Sequence, residues 1–377
     1  MAAAAESIYS SRLEKLYLAL ESAGFQALAL NPGPSLFYLT GLSFHLSERP
    51  VVFIFLPAAS PVVVLPELEA GKIDALPLPV QAFPYAEDYD SWHAAFRQAA
   101  RHAGIDGVTA GVEPRRLRLL ELGFLQAAAP EAQFQSAEQV LAALRMHKDP
   151  AEVDSMQRAV KIAQDALQAV TGQIKPGISE QQLANELVVQ LLRHGSGPEL
   201  PFSPIVASGP NSANPHAAPT DRALAAGDLL VLDWGASVDG YASDLTRTFS
   251  LGEPDPELAR IAEIVLQANT AARERCAPGM PAGEVDRAAR DVIAAAGYAE
   301  YFIHRTGHGL GLESHEEPYI RADNSQALAA GMTFTIEPGI YLPGRGGVRI
   351  EDNLLITPTG AQTLSDFPRH LHMLPYS

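Results

Sequence analysis

Cysteine occurs once in 377 residues, at Cys276, so no disulfide can form within the chain and a reducing compartment is expected. Arg275 precedes it and Ala277, Pro278 and Gly279 follow; none is a base, so no nucleophilic thiol is expected. Positive charge is also scarce. Against 44 Asp and Glu stand 27 Lys and Arg, a formal charge of −17 with no basic stripe, which argues against nucleic acid or an anionic membrane surface as partner. Long apolar runs are missing too. The longest, Pro50 to Leu65, is broken by prolines and too short to cross a bilayer as a helix. The opening Met1-Ala-Ala-Ala-Ala-Glu6 has neither a positive n-region nor an apolar h-region, so no signal peptide is expected. These absences lead to a cytoplasmic expectation.

What is present is enough apolar material, 47% of the chain, for a full core and two domains. Residues 9 to 24 read as an amphipathic helix, with Leu13, Leu16, Tyr17 and Leu20 on one face. Ala27–Leu30, Ser35–Thr40, Val51–Leu56 and Val62–Leu65 are short, apolar and bounded by Pro, Gly or Asn, and predict strands. Helices near 91–104 and 137–146 complete an α/β unit, expected over residues 1–147. Asp149-Pro150 with Glu152 is an N-cap signature that opens a long helix, so a second domain is expected over 148–377.

That second part carries a faint internal repeat. Helix 152–172, the link Lys175-Pro-Gly-Ile-Ser179 and a helix through Leu183, Leu187 and Leu191 come first. About 102 residues later, helix 257–275, the link Ala277-Pro-Gly-Met-Pro281 and a helix through Val285, Ala289 and Ile293 follow the same order. Each half goes on to strands and ends in a hairpin with two acids. The duplication predicts two similar α/β halves with a ligand site at their seam.

The first hairpin is Leu229-Leu-Val-Leu-Asp233 and Tyr241 to Phe249, joined at Asp239-Gly240, a type I′ turn signal. A two-residue loop sets Val238 opposite Tyr241 and Asp233 opposite Thr246. Asp244 is then the diagonal neighbour of Asp233 on the same face. Acidic residues are mostly solvated, but two on one face of an apolar pair repel unless a cation lies between them. The second hairpin, Met332 to Leu342 and Gly347 to Ile356 around Pro343 to Gly346, carries Glu337 and Glu351. A three- or five-residue loop sets them opposite each other. Ile336, Ile350 and Leu354 leave little solvated face for either.

Between the hairpins runs His304-Arg-Thr-Gly-His308-Gly-Leu-Gly-Leu-Glu-Ser-His315, dense in histidine and glycine. Three glycines disfavour a helix, and a loop or irregular strand is expected. Gly307, Gly309 and Gly311 would let the backbone approach a metal cluster or substrate closely. No third glycine at dinucleotide spacing and no P-loop lysine is present, so a phosphate loop is not expected. Four carboxylates and one imidazole, without thiolate, suit a pair of Mn²⁺, Co²⁺, Fe²⁺ or Zn²⁺ ions, with Mn²⁺ first among them.

In this order the residues resemble the M24 metallopeptidases of the pita-bread fold, which include methionyl aminopeptidase, Xaa-Pro aminopeptidase and prolidase. The resemblance covers roughly 150–377. Residues 1–145, with Asn31-Pro-Gly-Pro-Ser-Leu-Phe-Tyr-Leu-Thr-Gly41, resemble the creatinase/prolidase N-terminal domain. The resemblance implies an α/β (α+β) chain: a creatinase/prolidase-type domain followed by a pseudo-twofold pita-bread catalytic domain. It implies a metallo-exopeptidase that cleaves the bond before proline in di- or oligopeptides, with two divalent ions held by Asp233, Asp244, His308, Glu337 and Glu351. Glu337 would also act as general base, His216 would serve the scissile amide or its proton, and His315 the oxyanion. His304 would lie near proline and Arg349 would brace the carboxylates. A homodimer is implied as well.

One position departs. Short prolidases place an arginine four residues after the equivalent of His315, where it helps bind the dipeptide carboxylate; here stands Tyr319, with Arg321 two further on. That keeps an aminopeptidase for longer peptides in play. A creatinase-like hydrolase works without metal and lacks the five ligands. A non-catalytic pita-bread protein has lost ligands and often gained basic segments. A methionyl aminopeptidase, suggested by Glu316-Glu-Pro318, lacks the N-terminal domain.

Overall fold

The computed structural model describes residues 2–76 and 78–375, with side chains from Ile8 onward. The chain divides into two compact units, Met1–Arg145 and Met146–Ser377. In the first, α1 (Ala2–Ala23), β1 (Ala27–Leu30), α2 (Pro34–Thr40), β2 (Val52–Leu56) and β3 (Ala59–Pro66) are followed by β4 (Gln81–Tyr85), α3 (Tyr89–Ala103) and β5 (Thr109–Val112). Then come α4 (Leu119–Ala128), β6 (Gln133–Ser136) and α5 (Glu138–Met146). The strands form one sheet in the order β4-β3-β2-β1-β5-β6. Helix α3 starts where the Asp88 carboxylate accepts from Ser91 N at 2.8 Å, and it buries Trp92, Ala95, Phe96, Ala99 and Ala100. Phe96 stacks on Phe124 of α4 at 4.9 Å between ring centroids.

Ser35–Thr40, predicted as strand, is helix α2 instead. Pro34 occupies its first turn and Gly41, at φ 73°, ends it by donating to Phe37 O. Pro at the start and a left-handed glycine at the end are helix signals, and they outweigh the apolar content of a seven-residue run.

In the second unit, α6 (Pro150–Thr171) and α7 (Glu180–Arg193) precede β7 (Ile205–Ser208), β8 (Leu229–Trp234), β9 (Ser237–Val238), β10 (Tyr241–Ala242) and β11 (Leu245–Leu251). Then α8 (Pro256–Arg275) and α9 (Ala282–Ala295) precede β12 (Gly307–Gly309), β13 (Glu316–Ile320), β14 (Thr333–Ile336), β15 (Gly339–Leu342), β16 (Gly346–Arg349) and β17 (Asp352–Thr357). Strands β18 (Gly360–Thr363) and β19 (His372–Leu374) close the chain. Helix α6 opens as its sequence predicts: Asp149 Oδ1 accepts from Ala151 N and Glu152 N, and Glu152 Oε2 accepts from Asp149 N at 2.8 Å.

Each helix pair is followed by its own sheet, β19-β11-β8-β7 and β13-β12-β14-β17-β18. Both predicted registers are present. Val238 pairs with Tyr241 and Asp233 with Thr246, through a turn in which Asp239 has φ 53° and Gly240 φ 83°. The strand predicted from Tyr241 to Phe249 is broken at Ser243-Asp244, where Asp244 N donates to Asn353 Oδ1 at 3.1 Å instead of to a ladder. In the second hairpin, Ile336↔Asp352 and Gly339↔Arg349 share one register, which sets Glu337 opposite Glu351 across a three-residue turn. Thr246 then pairs with Glu351 as well, tying one hairpin to the other.

Candidate active site

The two hairpins and β12 converge on a cavity of about 520 Å³. Asp233, Asp244, His308, Glu337 and Glu351 line it together with His216, His304, His315 and Arg349. Phe202, Ser203, Ile205, Pro215 and Arg305 complete the wall. Tyr319 is not among the lining residues; its ring lies against Arg305, with the guanidinium carbon 4.5 Å from the ring centroid. Arg321 pairs with Asp323 on the surface.

Glycines 307 and 309 have a different reason from the one expected. A Cβ on Gly307 would stand 1.9 Å from Thr335 O, and one on Gly309 2.2 Å from Glu317 O. The backbone approached is that of neighbouring strands β14 and β13, with a bulge between the two glycines. The close packing seats His308 on the cavity floor. His308 Nδ1 lies 3.1 Å from Gly309 O, which accepts its proton and leaves the Nε2 lone pair facing inward. That Nε2 is 3.3 Å from Glu337 Oε1 and 3.7 Å from Asp244 Oδ2.

A lone pair facing carboxylates requires a proton or a cation between them. Ligand atoms of Asp244, His308 and Glu351 lie within 4.8 Å of one another, all three residues buried. Asp233 Oδ1, Asp244 Oδ1 and Glu351 Oε1 are buried without a hydrogen-bond partner. Three such oxygens in one cluster cost several kcal/mol unless a positive group meets them. Burial pushes Asp244 and Glu351 well above the ordinary carboxylate range, and their acidic neighbours push in the same direction. Glu337 rises to about 7, chiefly from burial, with Arg349 opposing. His308 is held well below its usual value by burial and by the neighbouring His315. Charges that destabilise one another without a cation are the donor set a pair of divalent ions takes, so these residues fit such a group.

The other oxygens are held by the protein. Arg349 Nη2 donates to Asp233 Oδ2 at 2.5 Å, and Thr246 Oγ1 donates to Glu351 Oε2 at 2.7 Å. Arg349 also donates from Nε to Thr246 Oγ1 and from Nη1 to Tyr341 OH and Pro215 O. Tyr341 OH in turn donates to His304 Nε2 at 2.8 Å, and His304 Nδ1 donates to Arg305 O at 2.8 Å. Burial lowers His304 to about 3, so the ring stays neutral in this chain of bonds. His216 and His315 are exposed to the cavity; the rings of His315 and His308 are 4.1 Å apart.

Sequence reasoning missed Arg305, Phe202 and Tyr341. Arg305 adjoins His304 in a segment already marked as functional, and that adjacency was the available signal. Nothing local marks Phe202 or Tyr341, whose place depends on long-range folding.

The sequence matches the profile of metallopeptidase family M24 over residues 154–358 and that of the creatinase/prolidase N-terminal domain over 12–147. A probable dipeptidase PepE from Mycobacterium tuberculosis is 38% identical, with 98% of each chain covered. An Xaa-Pro dipeptidase from Pyrococcus horikoshii is 34% identical, covering 97% of this chain and 99% of the other. Among solved structures, a recombinant prolidase from Thermococcus sibiricus superposes with a TM-score of 0.92 at 33% identity, covering 97% of this chain and 99% of that one. A creatinase/prolidase-type domain thus precedes a pita-bread domain whose cavity gathers buried acids around one imidazole, and the chain belongs to metallopeptidase family M24.

Proposed function

We propose that the chain is a two-metal Xaa-Pro dipeptidase that hydrolyses the amide bond between an N-terminal residue and proline. One observation carries this reading: four carboxylates and one imidazole meet in a buried cluster whose unpartnered oxygens face one cavity. Full-length similarity to relatives named dipeptidase and Xaa-Pro dipeptidase supports the substrate class. Asp233, Asp244, His308, Glu337 and Glu351 hold the ions, manganese first and cobalt, zinc or iron next; two copies of the chain form the working unit. When bound, such ions supply Lewis acidity and bring the pKa of water near neutrality.

The chain's own residues then divide the work. Glu337, whose carboxylate opens onto the cavity, accepts a proton from the attacking water while the water oxygen adds to the carbonyl carbon. The same proton reaches the proline nitrogen as the carbon–nitrogen bond breaks, releasing an amino acid and proline. His315 faces the cavity from the His308 side and donates to the carbonyl oxygen as negative charge develops there. His216 serves the amide nitrogen. Arg349 fixes the Asp233 carboxylate through its 2.5 Å contact. His304, with both nitrogens bonded within the protein, flanks the proline ring by shape.

Metal-loaded protein should cleave Ala-Pro and leave Ala-Pro-Ala intact. Tyr319, standing where short prolidases have arginine, favours the second reading, an Xaa-Pro aminopeptidase, for which the tripeptide would be the better substrate. Protein that leaves both peptides whole and takes up no divalent ion by calorimetry would remove the peptidase reading altogether.

A further inference from the structure

Two guanidinium groups line the cavity, and they are in opposite circumstances. Arg349 is consumed: its nitrogens donate to Asp233, Thr246, Tyr341 and Pro215 O. Arg305 is not. Among the described residues its side chain makes no hydrogen bond and no ion pair, and its guanidinium carbon lies 4.5 Å from the centroid of the Tyr319 ring. Stacking on an aromatic face fixes the plane of a guanidinium while leaving its edge nitrogens available. The backbone is anchored on both sides: Arg305 O accepts from His304 Nδ1 and Thr306 N donates to Asp286 Oδ1.

The acids of this cavity are committed to the ions of the proposed function and Arg349 to its own bonds, which leaves Arg305 as the guanidinium of the lining free to meet a substrate carboxylate. We propose that Arg305, oriented by Tyr319, is the specificity-determining cation that binds the C-terminal carboxylate of an Xaa-Pro dipeptide. The inference rests on the Xaa-Pro reading above. Its planar, pre-oriented fork suits a carboxylate in two-pronged fashion, which a lysine would not reproduce. Tyr319 then serves the same end from outside the cavity wall, as the platform under the arginine.

The test compares Ala-Pro with Ala-Pro amide, which lacks the carboxylate, on metal-loaded wild type, Arg305→Gln, Arg305→Lys and Tyr319→Leu. For Ala-Pro, Arg305→Gln should raise KM roughly 10- to 100-fold with little change in kcat, the loss of a charge-assisted bond. Arg305→Lys should recover part of that, and Tyr319→Leu should show a smaller rise. Hydrolysis of the amide should be unchanged in all three. Proline should inhibit wild type better than prolinamide does, and the variants should lose that difference. Equal KM changes on acid and amide would make Arg305 a structural residue and overturn the assignment. So would unchanged kinetics in an Arg305→Gln variant with wild-type melting temperature. Wild type inactive on both compounds would overturn the Xaa-Pro reading, and this one with it.

Discussion

The first acidic hairpin turns through two residues, Asp239 and Gly240; the second turns through three, Pro343 to Arg345. The first places its carboxylates diagonally, Asp233 and Asp244, while the second places Glu337 and Glu351 directly opposite. In both, regular pairing lapses beside an acid: at Ser243-Asp244 in one, at Glu337-Pro338 and Ile350-Glu351 in the other. Each also lends the other its support. Arg349 of the second hairpin holds Asp233 of the first, and Thr246 of the first holds Glu351 of the second. Similar topology therefore does not mean equivalent halves: neither acidic pair is held by its own hairpin alone.

The largest effect expected on that comparison is at Glu337, which the second hairpin presents with 15% of its side-chain surface still open. Glu337→Ala should cut turnover about 10³-fold or more and weaken divalent-ion binding by calorimetry, because one carboxylate is both ligand and base. Retained turnover would show that the first hairpin suffices.

Breaking the cross-brace comes next. Arg349→Met leaves Asp233 buried without its partner and should cost roughly 3–5 kcal/mol of stability, read by denaturant unfolding of the metal-free protein. A cost below about 1 kcal/mol, the worth of an exposed pair, would mean that the hairpins stand independently.

The pH dependence of metal-free protein sharpens the contrast further. Asp244, Glu337 and Glu351 have folded-state proton affinities above those of the unfolded chain. Stability from their protonation is fully present below the unfolded value near 4.5 and is lost as pH rises through the folded values. The lowered histidines oppose this mainly below about pH 7, where the unfolded chain titrates them. From about pH 7 upward, as Glu337 gives up its proton, metal-free protein should therefore lose stability at up to about 1.4 kcal/mol per pH unit. Metal-loaded protein should show a flatter slope, and parallel slopes in thermal melts would contradict the clustered-charge account.

The smallest effect concerns the turns themselves. Gly240, at φ 83°, and Gly344, at φ 73°, both sit in the left-handed region. Gly240→Ala and Gly344→Ala should each cost about 1–2 kcal/mol, with metal binding unchanged. A much larger loss of metal affinity at Gly240 would show that the tight turn alone controls the position of the aspartates.

These turns also explain how much of the molecule was readable in advance. Asp239-Gly240 fixed a loop length, and a loop length fixes every pairing above it, so Asp233 opposite Thr246 followed from counting. Glu337 opposite Glu351 followed once the loop held an odd number of residues. Asp149-Pro150 announced α6 because capping is a local interaction. The apolar content of Ser35–Thr40 predicts a strand, but Pro34 and Gly41 are start and stop signals that decide for a helix. Gly307 and Gly309 admit neighbouring strand backbone rather than a ligand, which only the folded sheet reveals. Tyr341 is legible only in the folded chain for the same reason, since its bonds reach His304 and Arg349; Arg305 adjoins His304, but the ring it lies on is 14 positions away.

The bonds from Arg349 through Tyr341 and His304 to the carbonyl of Arg305 all run in one direction, each group giving its proton to the next. Such a file has no slack. His304 cannot take up a proton without turning Tyr341 away, and cannot lend one without losing its hold on the backbone of Arg305. Although it sits among residues that trade protons, this histidine is silent in acid–base terms. It works as a wall: rigid, uncharged, and in register with the arginine that follows it.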